Sequence, residues 1–280
     1  MAPPEAMGRA GALSIGFVGN CQAELLQRAF AKATPAAQFA SFYHFFDLSQ
    51  DELATARAEI CACDVILMQD IRDAENYPLR ASLPPHCRII AFPFLRFASP
   101  WPYDDFNGLR DSVARNQDDP ALHAVTHYDG ILGRLRRVEP DPRNRFEAYK
   151  ECKFKEMIDP ARVHDFETRR LEALDERFGF EIGRHILEGF RKTQLFYTVN
   201  RPCGAVLALV LEYIFKVLDL ALTAQPDGVL DELRLIQVPV HPFVARRLSI
   251  EWADRKRLYR NGDREMNWDG FVRAYIERYG

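Results

Sequence analysis

The chain has 280 residues, 48% hydrophobic and 28% charged, which excludes a disordered polymer and leaves room for one large domain or two smaller ones. A formal net charge of −3 without a long basic run argues against a nucleic-acid binder. Six cysteines, at positions 21, 61, 63, 87, 152 and 203, lack the spacing of a zinc ribbon or a secreted disulfide framework; they read as thiols of a reducing, cytoplasmic protein with no metal site.

Residues 1–12 lack the apolar core of a signal peptide and read as a disordered N-terminus. The apolar run 13–19 predicts a first strand. It stops at Gly19-Asn20, and a helical pattern over 21–33 starts at once, with Leu25, Leu26 and Phe30 on one face. The aromatic stretch from Phe39 predicts a second strand ending near Tyr43-His44, and 50–60 a helix with Ser49 as a cap. Asp64 to Asp70 predicts a strand buried on both faces, and Arg88 to Phe94 a fourth, ended by Pro93. Strands alternating with helices imply a parallel, right-handed sheet. Beyond Pro100-Trp-Pro102 helical periodicity takes over, at 160–178, 179–192, 203–222 and 267–279. Leu233 to Val240 reads as one further strand. The stretch 204–222 is interrupted by Glu212, Lys216 and Asp219, which fits a buried amphipathic helix and not a membrane span. The expected organisation is an α/β subdomain over 13–100, with a Rossmann- or flavodoxin-like parallel sheet, followed by a mostly helical part over 101–280 packed on it.

A parallel sheet binds ligands beyond the carboxyl ends of its strands. Those ends carry Asn20-Cys21-Gln22, His44, Gln69-Asp70 and Phe92-Pro93. A cysteine at a helix N-terminus lies near unpaired backbone N–H groups, which favour its thiolate. A thiol, an imidazole, a carboxylate and amides are the parts of a nucleophilic acyl-transfer site: Cys21 attacks, a histidine moves the proton, Asp70 orients it and N–H groups hold the oxyanion. Each residue has a structural alternative. Cys21 fits a buried core thiol, His44 a core histidine, Asp70 a cap for the next segment and Gln22 a plain first-turn residue. The chain has no G-x-x-x-x-G-K-[ST] loop, no G-x-G-x-x-G run with an acid ending the second strand, and no H-E-x-x-H, so P-loop hydrolysis, a dinucleotide fingerprint and a zincin site all lack their signatures.

Taken in order, the motifs resemble those of the WcbI-type polysaccharide-biosynthesis proteins, regarded as acetyltransferases. They are Gly19-Asn-Cys-Gln22, Gln69-Asp-Ile71, Phe92-Pro-Phe-Leu-Arg-Phe97 with Trp101-Pro-Tyr103, His127-Tyr-Asp-Gly130, Thr198-Val-Asn-Arg-Pro202 and Val238-Pro-Val-His-Pro242. The resemblance implies an α/β subdomain in a mostly helical fold, bound coenzyme A or acetyl-coenzyme A, and O-acetylation of a capsular or surface sugar. One departure is Asn200-Arg201-Pro202, where the family is expected to have Asn-His-Pro. The N-terminal half also resembles the SGNH-hydrolase layout, with Gly-Asn-Cys in place of Gly-Asp-Ser; His241 is then the late histidine that substitutes for the missing Asp-x-x-His block, or else a strand-end packing residue. Coenzyme A needs cations for its phosphates, and Arg134, Arg191, Lys192 and Arg201 are candidates beside a plain solvated-face reading. Asn20, Gln22, Gln69 and Asn200 are the expected polar partners of the cofactor. A cysteine esterase and a non-catalytic scaffold of polysaccharide assembly remain as alternatives.

Overall fold

A computed structural model describes residues 13–34, 39–44, 50–70, 77, 80, 83, 85, 87–104, 129–151, 158–223 and 228–279. The N-terminal 12 residues, Ser49, Ile71, His127, Tyr128 and Cys152 lie outside them, and so does the side chain of His44. The chain divides into two compact units. One comprises Met1–Phe94 with Leu207–Leu230, the other Leu95–Val206 with Asp231–Gly280. The break after Phe94 falls close to the composition change near residue 100, but Leu207–Leu230 returns to the first unit.

The first unit is built on strands β1 (Ser14–Gly19), β2 (Phe39–His44), β3 (Val65–Asp70) and β4 (Arg88–Pro93), all parallel in the order β2-β1-β3-β4. Helix α1 (Cys21–Ala33) follows β1, and α2 (Gln50–Cys61) follows β2. Alternation along β1 decides which face each helix covers. Phe17 points to α1, where its ring lies 5.5 Å from Phe30, and Phe30 in turn lies 5.0 Å from Phe215. Val18 points the other way, into a buried cluster with Ile66 and Met68 from β3 and Ala56 and Ile60 from α2. With both faces covered, Val65 to Gln69 are all buried, as the uninterrupted apolar run predicts. Phe215 belongs to α3 (Gly204–Val217), which starts in the second unit and spends most of its length in the first. There the Tyr213 hydroxyl donates to the carbonyl of Ala91 on β4 (3.2 Å).

In the second unit the described helices, taken in chain order and numbered on from α3, are α4 (Gly130–Val138), α5 (Pro142–Glu151), α6 (Pro160–Phe178), α7 (Ile182–Gly189), α8 (Pro242–Leu248) and α9 (Trp268–Tyr279). Two short hairpins join them: β5 (Phe196–Thr198) with β6 (Arg201–Pro202), and β7 (Tyr259–Asn261) with β8 (Arg264–Met266). Rings of Phe97, Phe190 and Phe196 form the centre of one cluster, Phe97 lying 5.1 Å from Phe190 and 5.8 Å from Phe196. The buried Glu167 of α6 accepts from the amide of Ala98 (3.0 Å) and pairs with Arg170, so its charge is compensated. The strand expected over Leu233 to Val240 is not one element. Val229–Leu235 is a 3₁₀ helix with Leu235 exposed, and the extended part after it bonds in turn to Asn261, Arg260 and Tyr197 instead of along one partner. Among the described residues no helix is long and apolar enough to cross a membrane.

Candidate active site

The order β2-β1-β3-β4 reverses between β1 and β3: the chain leaves β1 toward β2 on one side and returns to β3 on the other. Such a reversal leaves a crevice at the strand ends. Along this rim stand His44, then Gly19 with the Asn20-Cys21 turn, then Gln69-Asp70, then Pro93. His44 pairs in register with Gly19, and Asp70 with Pro93. The four strand ends therefore meet on one edge.

The turn between β1 and α1 is held by side-chain amides. Asn20 is the N-cap of α1, and its Oδ1 accepts from the Gln22 amide at 3.0 Å. Gln69, fully buried at the end of β3, accepts from the backbone N–H of Asn20 through Oε1 (3.0 Å) and donates from Nε2 to Oε1 of buried Gln22 (3.3 Å). The donation from the Asn20 N–H fixes which end of the Gln69 amide is oxygen. Gly19 is required by the same clamp. A Cβ there would stand 2.5 Å from Ala23 Cβ and 2.6 Å from Gln69 Oε1. The result is a rigid elbow with Cys21 as the first residue of α1, exposed to solvent. Cys63 and Cys203 are buried instead, and burial pushes their thiols up.

Of the polar groups expected around a cofactor, Asn20, Gln22 and Gln69 come together here. Gln22 and Gln69 are buried as the clamp itself, and Cys21 is the exposed side chain of the turn. Asp70 is part-exposed at the end of β3. His44 and Asp70 stand on strands separated by β1, about 10 Å between backbones, so an Asp70–His44 pair asks both side chains to span β1.

The remaining predicted residues lie in the second unit. His241 is not an open base. It is buried as the N-cap of α8, its Nδ1 accepting from the amide of Phe243 (3.1 Å) while Nε2 faces the carbonyl of Tyr149 (3.1 Å). Acceptance at Nδ1 places the proton on Nε2. Tyr149, Tyr103 and Trp268 stand edge-on around the ring, and burial pulls its pKa down to about 4. Arg191 is also committed. It donates to the Leu248 carbonyl and to His164 Nε2 (3.2 Å), with its guanidinium 4.5 Å from the Phe190 ring centre. That donation puts the His164 proton on Nδ1, facing the buried Ser99 hydroxyl at 3.0 Å, so the Ser99–His164 pair is not a serine activated by a base. Asn200 accepts from the Thr198 hydroxyl beside the β5–β6 bulge, and Arg201 is half-buried on β6. Arg134 and Lys192 are exposed. Among the described residues no group of three or more His, Cys, Asp or Glu side chains is placed to hold a metal.

A parallel sheet in the order β2-β1-β3-β4, with helices between its strands, is an α/β unit of the flavodoxin-like kind. The family model described as "Polysaccharide biosynthesis enzyme WcbI" matches residues 14–223, and the chain belongs to that family. It is similar to a solved structure of WcbI, described as a novel polysaccharide biosynthesis enzyme in a native form without a disulfide bond between coenzyme A and one of its cysteines. The TM-score is 0.68 at 16% identity, over 95% of this chain and 90% of that one, a likeness of fold. No curated protein matches the chain.

Proposed function

We propose that the protein transfers an acyl group, acetyl in the simplest case, from coenzyme A to a sugar hydroxyl during assembly of a capsular or other surface polysaccharide in the cytoplasm. The observation that carries this reading is the exposed Cys21 at the strand-order reversal, on a turn locked by Gln69, Gln22 and Asn20. Support also comes from the solved WcbI structure, whose description names a disulfide bond between coenzyme A and a cysteine as the feature that form lacks.

The residues fit the thiol end of such a donor: an exposed Cys21 beside a part-exposed Asn20 at the N-terminus of α1. Bound coenzyme A would supply an activated acyl thioester. Cys21 Sγ would attack the thioester carbonyl, the carbon–sulfur bond to the coenzyme would break, and coenzyme A would leave as its thiol with the proton Cys21 gives up. The sugar hydroxyl oxygen would then attack the Cys21 thioester, His44 taking the hydroxyl proton and returning it to Cys21 as that sulfur leaves. The N–H groups of Asn20 and Gln22 are taken up by the clamp, so the N–H of Cys21 at the start of α1 is the one assigned to steady the oxyanion. Rigidity matters here because donors already aimed at the developing charge need no reorganisation.

Calorimetric titration of coenzyme A and acetyl-coenzyme A, into wild type and Cys21→Ala, tests this, followed by mass spectrometry of the Cys21 peptide. Micromolar binding and an acetylated Cys21 are expected. Turnover of p-nitrophenyl acetate that needs Cys21 but not coenzyme A would replace the transferase with a hydrolase. Coenzyme A binding that survives Cys21→Ala, with no turnover on any acceptor, would leave a scaffold. Silence of both ligands at millimolar concentration overturns the proposal.

A further inference from the structure

A cavity of about 440 Å³ lies wholly within the second unit, and Lys192 is the one candidate site residue in its lining. Four cations line it, Lys192, Arg234, Arg257 and Arg260, against a single carboxylate, Glu265. Among the described residues Lys192, Arg257 and Arg260 make no ion pair, and Arg234 meets Asp231 only at 3.9 Å. Like charges gathered around one concavity in a chain of net charge −3 repel one another, and a bound anion relieves that repulsion.

The cavity is also built, not merely bordered by surface side chains. Half-buried Arg257 is fixed from three sides. It donates to the Trp252 carbonyl (3.1 Å) and to Gln194 Oε1 (2.6 Å), and its guanidinium lies between the rings of Trp252 and Tyr259, at 5.3 and 5.6 Å. Arginine only donates, so the Gln194 atom it meets is oxygen and the other end of that amide is an NH2. That Nε2 is buried and has no acceptor among the described residues. A donor left over beside an immobilised guanidinium calls for an oxyanion.

We infer that this cavity binds a phosphate or diphosphate group of a substrate. The inference rests on the cavity and not on the acyl-transfer reading. Its phosphate could come from either of two ligands, the coenzyme or a nucleotide-activated sugar.

Inorganic pyrophosphate titrated calorimetrically into the full chain tests it. The comparison is the double variant Lys192→Gln, Arg260→Gln, whose side chains are exposed and whose fold is checked by tryptophan emission. Saturable binding is expected, weaker at high salt and weakened about tenfold or more by the double variant, the scale of one lost charge-assisted contact. Displacement of pyrophosphate by coenzyme A identifies the donor as the source, and displacement by a nucleoside-diphosphate sugar alone identifies the acceptor. No saturable binding at millimolar pyrophosphate, or binding the substitutions leave unchanged, overturns the inference. Cys21→Ala serves as the control: it abolishes acyl transfer without touching this cavity, so the two proposals fail separately.

Discussion

The clamp on the Cys21 turn rests on one side chain. Gln69, itself fully buried, accepts from the Asn20 N–H and donates to buried Gln22. Gln69→Leu keeps roughly the volume and removes both partners. It takes the acceptor from the part-buried Asn20 N–H and a donor from the buried Gln22 amide, which costs about 1–3 kcal/mol. A lower urea midpoint is expected. So is a changed rate of Cys21 alkylation by iodoacetamide under folding conditions, which a fault elsewhere in the core would not produce. An unchanged alkylation rate would reduce Gln69 to a packing residue. The turn itself was legible: Gly-Asn-Cys-Gln after an apolar run announces strand, cap and helix. The clamp was not, because its third member lies 49 residues away on another strand, and local spacing carries no record of side-chain pairing across a sheet. The same blindness hid Gln194 and Arg234, whose neighbours come from distant parts of the chain.

Helix ends and helix contacts hold the second unit. His241 caps α8 in its neutral form, with its pKa pulled from the ordinary 6.5 to about 4 by burial. The unfolded chain therefore binds the extra proton first. The stability tied to this ring is complete above pH 6.5, declines as pH falls toward 4, and amounts to roughly 3 kcal/mol. His164, lowered by burial and by Arg191, acts in the same direction. His241→Asn retains a capping oxygen without the titration, so its unfolding midpoint is expected to depend less steeply on pH between 6.5 and 4 than that of wild type. Helices α6 and α7 meet at Gly183, where a Cβ would stand 2.4 Å from the Leu171 carbonyl oxygen. Gly183→Ala must part the two backbones, at a cost of about 1–3 kcal/mol visible in thermal unfolding. Periodicity located α6, α7 and α9 because each carries an apolar stripe. It passed over α5, whose Pro142–Glu151 segment buries only Arg145, Phe146 and Tyr149 in an otherwise polar run. The strand expected over 233–240 failed for the opposite reason: an apolar run alone does not supply a continuous hydrogen-bonding partner.

Two of the chain's crossings between units fall inside regular elements, within α3 and within the 3₁₀ helix Val229–Leu235. A helix cannot melt on one side of Leu207 without fraying on the other, so the two units are expected to unfold in one transition. All three tryptophans (Trp101, Trp252 and Trp268) belong to the second unit, and Cys63 is buried in the first. Tryptophan emission and pulsed alkylation of Cys63, followed through a urea series, should therefore give coincident midpoints; separated midpoints would mean independent folding. The same distribution of side chains has an optical use. Every tryptophan sits in one unit, and Cys21 in the other is the exposed thiol among the described cysteines. A dye coupled to Cys21 makes the unmutated protein its own molecular ruler, in which energy transfer from tryptophan reports the spacing of the two units as ligands are added.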